Sequence, residues 1–253
     1  MTARVREVLA VLDDHNGYLS SPPGRLRRHL AAAGLGRCRA LLESVCILCE
    51  HGRTDTLGVL VRAIFEVWLV ALYTLHKGKD DDDESVIIEL RKDYEHHAST
   101  IVDKVGLGPS ARAKVDGWKA DTLKRQPPGT KPPPQKLRYD KIAEQLTDIL
   151  PGLDPSQSHQ DVAGWYDRLY RGESTYSAHP GLGLLLRYVK WGKEGAQNTV
   201  IANPGRTFPA QERIAAMLTI ILAQHVYQAF GIVADPRLDA LFLRLAPAPD
   251  TDD

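Results

Sequence analysis

Two charged residues interrupt the most apolar stretch of the chain, and they are the first candidates for chemistry. In Leu57–Leu75, LGVLVRAIFEVWLVALYTL, Arg62 and Glu66 stand four residues apart. On a helix that spacing stacks them on one face, about 6 Å apart along the axis. A second stretch, Asp161–His179, reads DVAGWYDRLYRGESTYSAH and supplies Tyr170, Glu173, Ser177 and His179. An imidazole can move a proton near neutral pH, a carboxylate can orient it, and a guanidinium can neutralise an anionic substrate or transition state. Arg62, Glu66, Glu173 and His179 are therefore the candidate catalytic group. The same residues also have a purely structural use. Arg62 can pair with Glu66, Glu173 or a helix end, and His179 can cap a helix, because polar networks also fix the register of a core.

Two elements must position this group. Leu57–Leu75 is apolar on almost every side, which predicts a central, buried helix. Buried Arg and Glu are rare unless paired, and removing one partner from such a pair costs roughly 3–5 kcal/mol. On a helical wheel, Val162, Trp165, Leu169, Gly172, Tyr176 and His179 fall on one stripe with Glu173 at its edge. The stripe predicts that the second stretch folds against the first, with His179 facing inward at the helix end.

The remaining segments read as helices too. Residues 2–14 carry Val5, Val8, Leu9 and Leu12 on one face, and residues 25–51 repeat apolar positions at helical spacing up to Gly52. Gly34 and Gly36 mark a candidate kink there. Helices are expected over 85–105 and 110–124, after the acidic run DDDDE at Asp80–Glu84, which reads as a solvated helix start. The stretch 124–138, KRQPPGTKPPPQKLR, holds five prolines and no acid; it cannot be helix and reads as a basic linker or an arm for phosphate-rich partners. Helices follow near 139–150, 161–179, 210–230 and 236–245, with a small hairpin or loop over 184–191 and 198–201. The fold class is all-α: one bundle of nine or ten helices with at most one small β-hairpin. It divides into front helices over 2–124, the linker over 125–137, back helices over 138–245 and a disordered polar tail over 246–253.

Charge and composition exclude several functions. Lys plus Arg equals Asp plus Glu at 32 each, so no global field draws the chain to nucleic acid or an anionic membrane. Cys38, Cys46 and Cys49 are an odd set within one helix, which suggests a reducing interior, and the CxxC at 46–49 lacks further ligands, so packed small side chains are the expectation rather than a metal. No Walker loop, dinucleotide fingerprint, HExxH or GxSxG is present. The N-terminus carries no signal-peptide pattern, and Arg62 and Glu66 argue against a membrane span at 57–75, so a cytoplasmic location is expected. His15, His51 and His76 lie near helix ends and read as surface groups. Trp191 between Lys190 and Lys193 is a common surface pattern.

The pair LVRAIFEVWLVALY and WYDRLYRGESTYSAHPG resembles a family of bacterial helical proteins carrying a domain-of-unknown-function label. Its pattern is R-x-x-x-E on an apolar helix, then a Y-x-x-x-S turn leading to a His before Pro or Gly. The likeness covers roughly residues 37–230 and rests on Arg62, Glu66, Tyr170, Ser174 and His179. That family in turn is similar to the higher-eukaryote-and-prokaryote nucleotide-binding (HEPN) superfamily of helical bundles, many of them metal-independent ribonucleases. The resemblance implies an Arg and a His acting on the RNA 2′-OH and phosphate, RNA or a nucleotide as partner, and a homodimer. The spacing departs from that superfamily: seven residues separate Arg171 from His179, and Arg91 to His96 has the spacing but sits on what reads as an exposed helix. His179 with Arg62, meeting in space, is the expected pair.

Two readings follow. The first is a ribonuclease-like or nucleotide-directed stress or defence protein with catalytic Arg62, Glu66, Glu173 and His179 and substrate-binding Tyr170, Ser174, Tyr176 and Ser177, needing neither cofactor nor metal. The rival is a non-catalytic helical module that binds a small molecule or a partner, with Arg62–Glu66 as a structural pair. A metal-dependent hydrolase built on Glu66, Glu173 and His179 is a third class. The residues leave open whether the protein is an enzyme.

Overall fold

The computed structural model describes residues 2–15, 26–53, 56–77, 83–126, 137–150, 162–167, 189–190, 199–200, 211–233 and 235–245. Within them lie nine helices: α1 (Thr2–His15), α2 (Leu26–Glu50), α3 (Leu57–His76), α4 (Asp83–Val105), α5 (Pro109–Arg125), α6 (Tyr139–Ile149), α7 (Val162–Trp165), α8 (Gln211–Ala229) and α9 (Pro236–Leu245). The fold is an all-α bundle. A two-residue antiparallel pairing, β1 (Val189–Lys190) with β2 (Thr199–Val200), stands where the sequence suggested a hairpin.

α3 is the axis of the bundle, as its all-round apolar sequence requires. It packs on α2, α8 and α6, burying Val61, Ile64, Phe65, Trp68, Leu69 and Leu72 completely. Burial of each such side chain contributes about 1.5–3 kcal/mol. Front and back helices therefore share one core. Phe65, Trp68 and Trp165 form a stacked column, with ring centroids 5.6 and 5.8 Å apart. Val162 and Trp165, the first two members of the expected inward stripe, do face the core.

α2 runs as one continuous helix through Gly34 and Gly36. Gly34 serves packing. A Cβ placed on it would lie 2.8 Å from Ala71 Cβ, a separation that real side chains do not adopt, so α2 and α3 approach closely only because Gly34 has none. α2 ends at Gly52 and α4 at Gly106, each with a positive φ of 67° and 68°, the left-handed closing residue that glycine adopts without strain.

α4 and α5 form a hairpin, with α5 packed on α4. The first turns of α4 face the rest of the bundle: Leu90 packs against the main core, and Val86 and Ile87 are buried. Pro109 stands at the first turn of α5, where its missing N–H costs nothing.

Candidate functional site

Arg62 and Glu66 are joined as their spacing predicted, Nε to Oε1 at 3.0 Å. The pair is not sealed in the core, contrary to expectation. Its side chains keep 19% and 29% of their surface exposed. Among the described residues Arg62 is the group bonded to the Glu66 carboxylate, through one oxygen, so the second oxygen remains available.

Glu66 also borders a cavity. A space of about 500 Å³ opens between α2, α3 and the start of α4. Leu30 and Gly34 line it from α2, Val67, Val70 and Ala71 from α3, and Ile87 and Leu90 from α4. Glu66, Arg91, Tyr94 and Tyr139 supply the polar side chains of the wall, with Thr74, whose hydroxyl is spent on Val70 O at 2.6 Å. Arg91 donates to Asp121 Oδ2 at 2.9 Å through Nη2, and among the described residues this is its one hydrogen bond. The result is an apolar chamber with one carboxylate and one guanidinium at its margin. Its volume falls in the range of small-molecule sites, roughly 300–1,000 Å³.

Polar contacts tie α3 to α4 alongside the cavity. Lys77 donates to both oxygens of Glu89 at 2.8 and 2.7 Å, Tyr73 donates to Glu89 Oε2 at 2.7 Å, and the Lys77 ammonium also contacts the Tyr73 hydroxyl. Burial, with Glu89 beside it, pushes the Tyr73 hydroxyl well above its ordinary range. This three-residue knot joins the end of α3 to α4. One turn further along α4, Asp93 accepts the Leu137 N–H at 2.8 Å.

Several residues read as surface groups prove to be engaged. His76 bonds His225, Nε2 to Nδ1 at 3.0 Å. Burial, then His225 and Arg27, holds His76 down at about 4, and burial also lowers His225. Arg27, only 3% exposed, donates to Lys77 O at 2.9 Å and closes the carbonyl end of α3. His15 bonds Asp235 at 2.9 Å. These partners lie 50, 149 and 220 positions apart along the chain, and helical spacing carries no signal for them. Cys38, Cys46 and Cys49 form no disulfide, and the first two are buried as packing groups. Burial raises Cys38 to about 12, so it is no nucleophile.

Of the proposed site, Arg62 and Glu66 lie within the described residues. Tyr170, Glu173, Ser174, Tyr176, Ser177 and His179 lie outside them, as does the acidic run before Asp83. Arg91, set aside as part of an exposed helix, is instead a cavity residue. The signal for it was present in α4, where Val86, Ile87 and Leu90 form a short apolar face that turns directly into Arg91 and Tyr94. Among the described residues no group of three His, Cys, Asp or Glu side chains is placed to hold a metal.

The sequence profile of the family of unknown function DUF5677 matches residues 28–197. The chain belongs to that family. No curated protein and no solved structure matches it.

Proposed function

We propose that this DUF5677 member is a binding module that takes a small amphipathic molecule into the chamber between α2, α3 and α4. The supporting observation is the cavity itself: about 500 Å³, apolar within, edged by Glu66 and Arg91. The apolar body of a ligand would displace water from Val67, Val70, Ile87 and Leu90, at about 25 cal/mol for each Å² covered. A donor group would meet the second Glu66 oxygen and an acceptor the Arg91 guanidinium, which fixes orientation. Arg62 then acts as a positioning residue, holding the carboxylate toward the cavity.

The neutral fluorophore N-phenyl-1-naphthylamine tests this reading. It should bind saturably at one site. Val70→Phe, which fills the chamber, should weaken that binding at least tenfold while leaving the helical circular dichroism unchanged. Non-saturable binding, or a Val70→Phe protein that binds as before, overturns it.

One observation favours a second reading, a metal-independent ribonuclease of HEPN type. Arg62 and Glu66 keep enough exposure to reach an RNA phosphate and its 2′-OH. In that reading Arg62, Glu66, Glu173 and His179 carry the reaction, and Tyr170, Ser174, Tyr176 and Ser177 hold the strand. RNA or a nucleotide is then the partner, in the cytoplasm. Labelled RNA incubated with the protein in EDTA should be cut, and His179→Ala should abolish cleavage. Intact RNA with the unaltered protein, or equal cleavage by the variant, removes this reading.

A further inference from the structure

The α4–α5 hairpin leaves one face of α4 uncovered, and that face is patterned. Tyr94, Ala98, Ile101 and Val105 follow one another at steps of four, three and four residues, the spacing of a seam that receives another helix. Tyr94, Ile101 and Val105 are 60%, 54% and 67% exposed. Isolated exposed aliphatics are ordinary on protein surfaces, but a stripe of about 16 Å along one helix is not. Trp118 of α5 extends it, its ring 5.4 Å from that of Tyr94. The adjacent flank of α4 carries buried Glu95 and Val102, and Glu95 accepts the Thr122 hydroxyl of α5, so that flank and not the stripe holds the hairpin together.

The edges of the stripe are basic. Arg91 and Arg125 share a single carboxylate, Asp121, at 2.9 and 3.6 Å. Lys104 beside Val105, and Lys114 one turn before Trp118, are exposed and make no ion pair among the described residues. A second copy of this chain would set these like charges against one another. A nucleic acid would find lysines but would gain nothing from Ile101 and Val105.

We infer that this face docks an amphipathic helix of a protein partner, apolar at positions i, i+4, i+7 and i+11 and acidic along both margins. Its apolar residues fill the spaces between Tyr94, Ala98, Ile101 and Val105. Its carboxylates meet Lys104 and Lys114, which adds specificity and speeds association more than it adds affinity. The face shares Tyr94 and Arg91 with the wall of the chamber, so the test is placed on Ile101, Val105, Lys104 and Lys114, which do not line it.

Three designed peptides of about five helical turns test it on the full-length chain by fluorescence anisotropy. All carry leucine at i, i+4, i+7 and i+11; one has glutamate margins, one lysine margins, and one is the glutamate peptide scrambled. The glutamate peptide should bind at least tenfold tighter than either other. Ile101→Ser with Val105→Ser should weaken it at least tenfold at unchanged charge. Lys104→Glu with Lys114→Glu should reverse the preference in favour of the lysine peptide. Unchanged circular dichroism and melting of both variants would show that the fold is intact. Equal binding of the three peptides, or none, overturns the inference. So does self-association of the unaltered chain that the serine variant dissolves, since a second copy would then own the face.

Discussion

His76 and His225 are joined by one hydrogen bond of 3.0 Å, between Nε2 of the first and Nδ1 of the second, which links the end of α3 to α8. A donor and a lone pair make this bond, so protonating both rings breaks it. Burial opposes the charged form in both, and Arg27 beside His76 adds to that opposition. Above the ordinary histidine pKa of about 6.5 both folded and unfolded chains are neutral here, and the pair costs nothing. Below it the unfolded chain takes up protons that the folded chain refuses until about pH 4. Stability should therefore fall as pH drops from about 6.5 toward 4. Melting temperature followed across that range should show the decline, and His76→Leu combined with His225→Leu should flatten it. An equally steep decline in the double variant would assign the acid sensitivity to other groups.

The Arg62–Glu66 pair should be worth little to stability. Partly exposed pairs at this spacing contribute about 0.3–1 kcal/mol, far below the cost of breaking a sealed pair. Glu66→Gln should lower the melting temperature by no more than about 3 °C. A double-mutant cycle between Arg62→Ala and Glu66→Ala should give a coupling of at most about 1 kcal/mol. A coupling several times larger would mean that the pair is desolvated in solution.

Asp235 should matter more. Its carboxylate accepts the Arg237 backbone N–H at 2.8 Å at the start of α9, pairs with the Arg237 guanidinium, and bonds His15 of α1. The Arg237 contact, then His15, holds the carboxyl far below its usual range. Its stabilising effect is complete above the ordinary aspartate pKa of about 3.9 and fades as pH falls below it. Asp235→Ala removes a cap and strands part of this network at a cost of about 1–3 kcal/mol. A melting temperature lowered by about 3–8 °C, with faster amide exchange in α1 and α9, is the expected outcome.

Gly34→Ala should destabilise despite the better helix propensity of alanine. Propensity favours alanine by about 1 kcal/mol in a helix interior. Against this, the new methyl meets Ala71 Cβ at 2.8 Å, and Ala71 cannot swing away because its Cβ is fixed to the backbone. Overpacking of this kind costs about 1–3 kcal/mol, so the balance is unfavourable. A melting temperature that rises in Gly34→Ala would show that α2 shifts freely on α3.

Much of the fold was legible in order of residues alone. The periodic apolar positions of α1, α2, α8 and α9, the glycine after α2 and the proline-rich break after α5 report local rules, and local rules act between neighbours in the chain. The i, i+4 geometry of Arg62 and Glu66 belongs to the same class. Their exposure does not, because it depends on which flank of α3 its neighbours leave bare.

The sequence by itself determined that this chain is all-α, that Leu57–Leu75 is its axis, and that Arg62 and Glu66 meet. Tertiary structure alone decided where α4 stands. Its tie to α3 through Lys77, Tyr73 and Glu89 stands alongside a chamber that no single segment encodes. It also decided that His76 finds His225 across 149 positions and that Tyr94, Ile101 and Val105 stay uncovered. Each is set by how helices of fixed shape fit together, and distance along the chain carries no record of that fit.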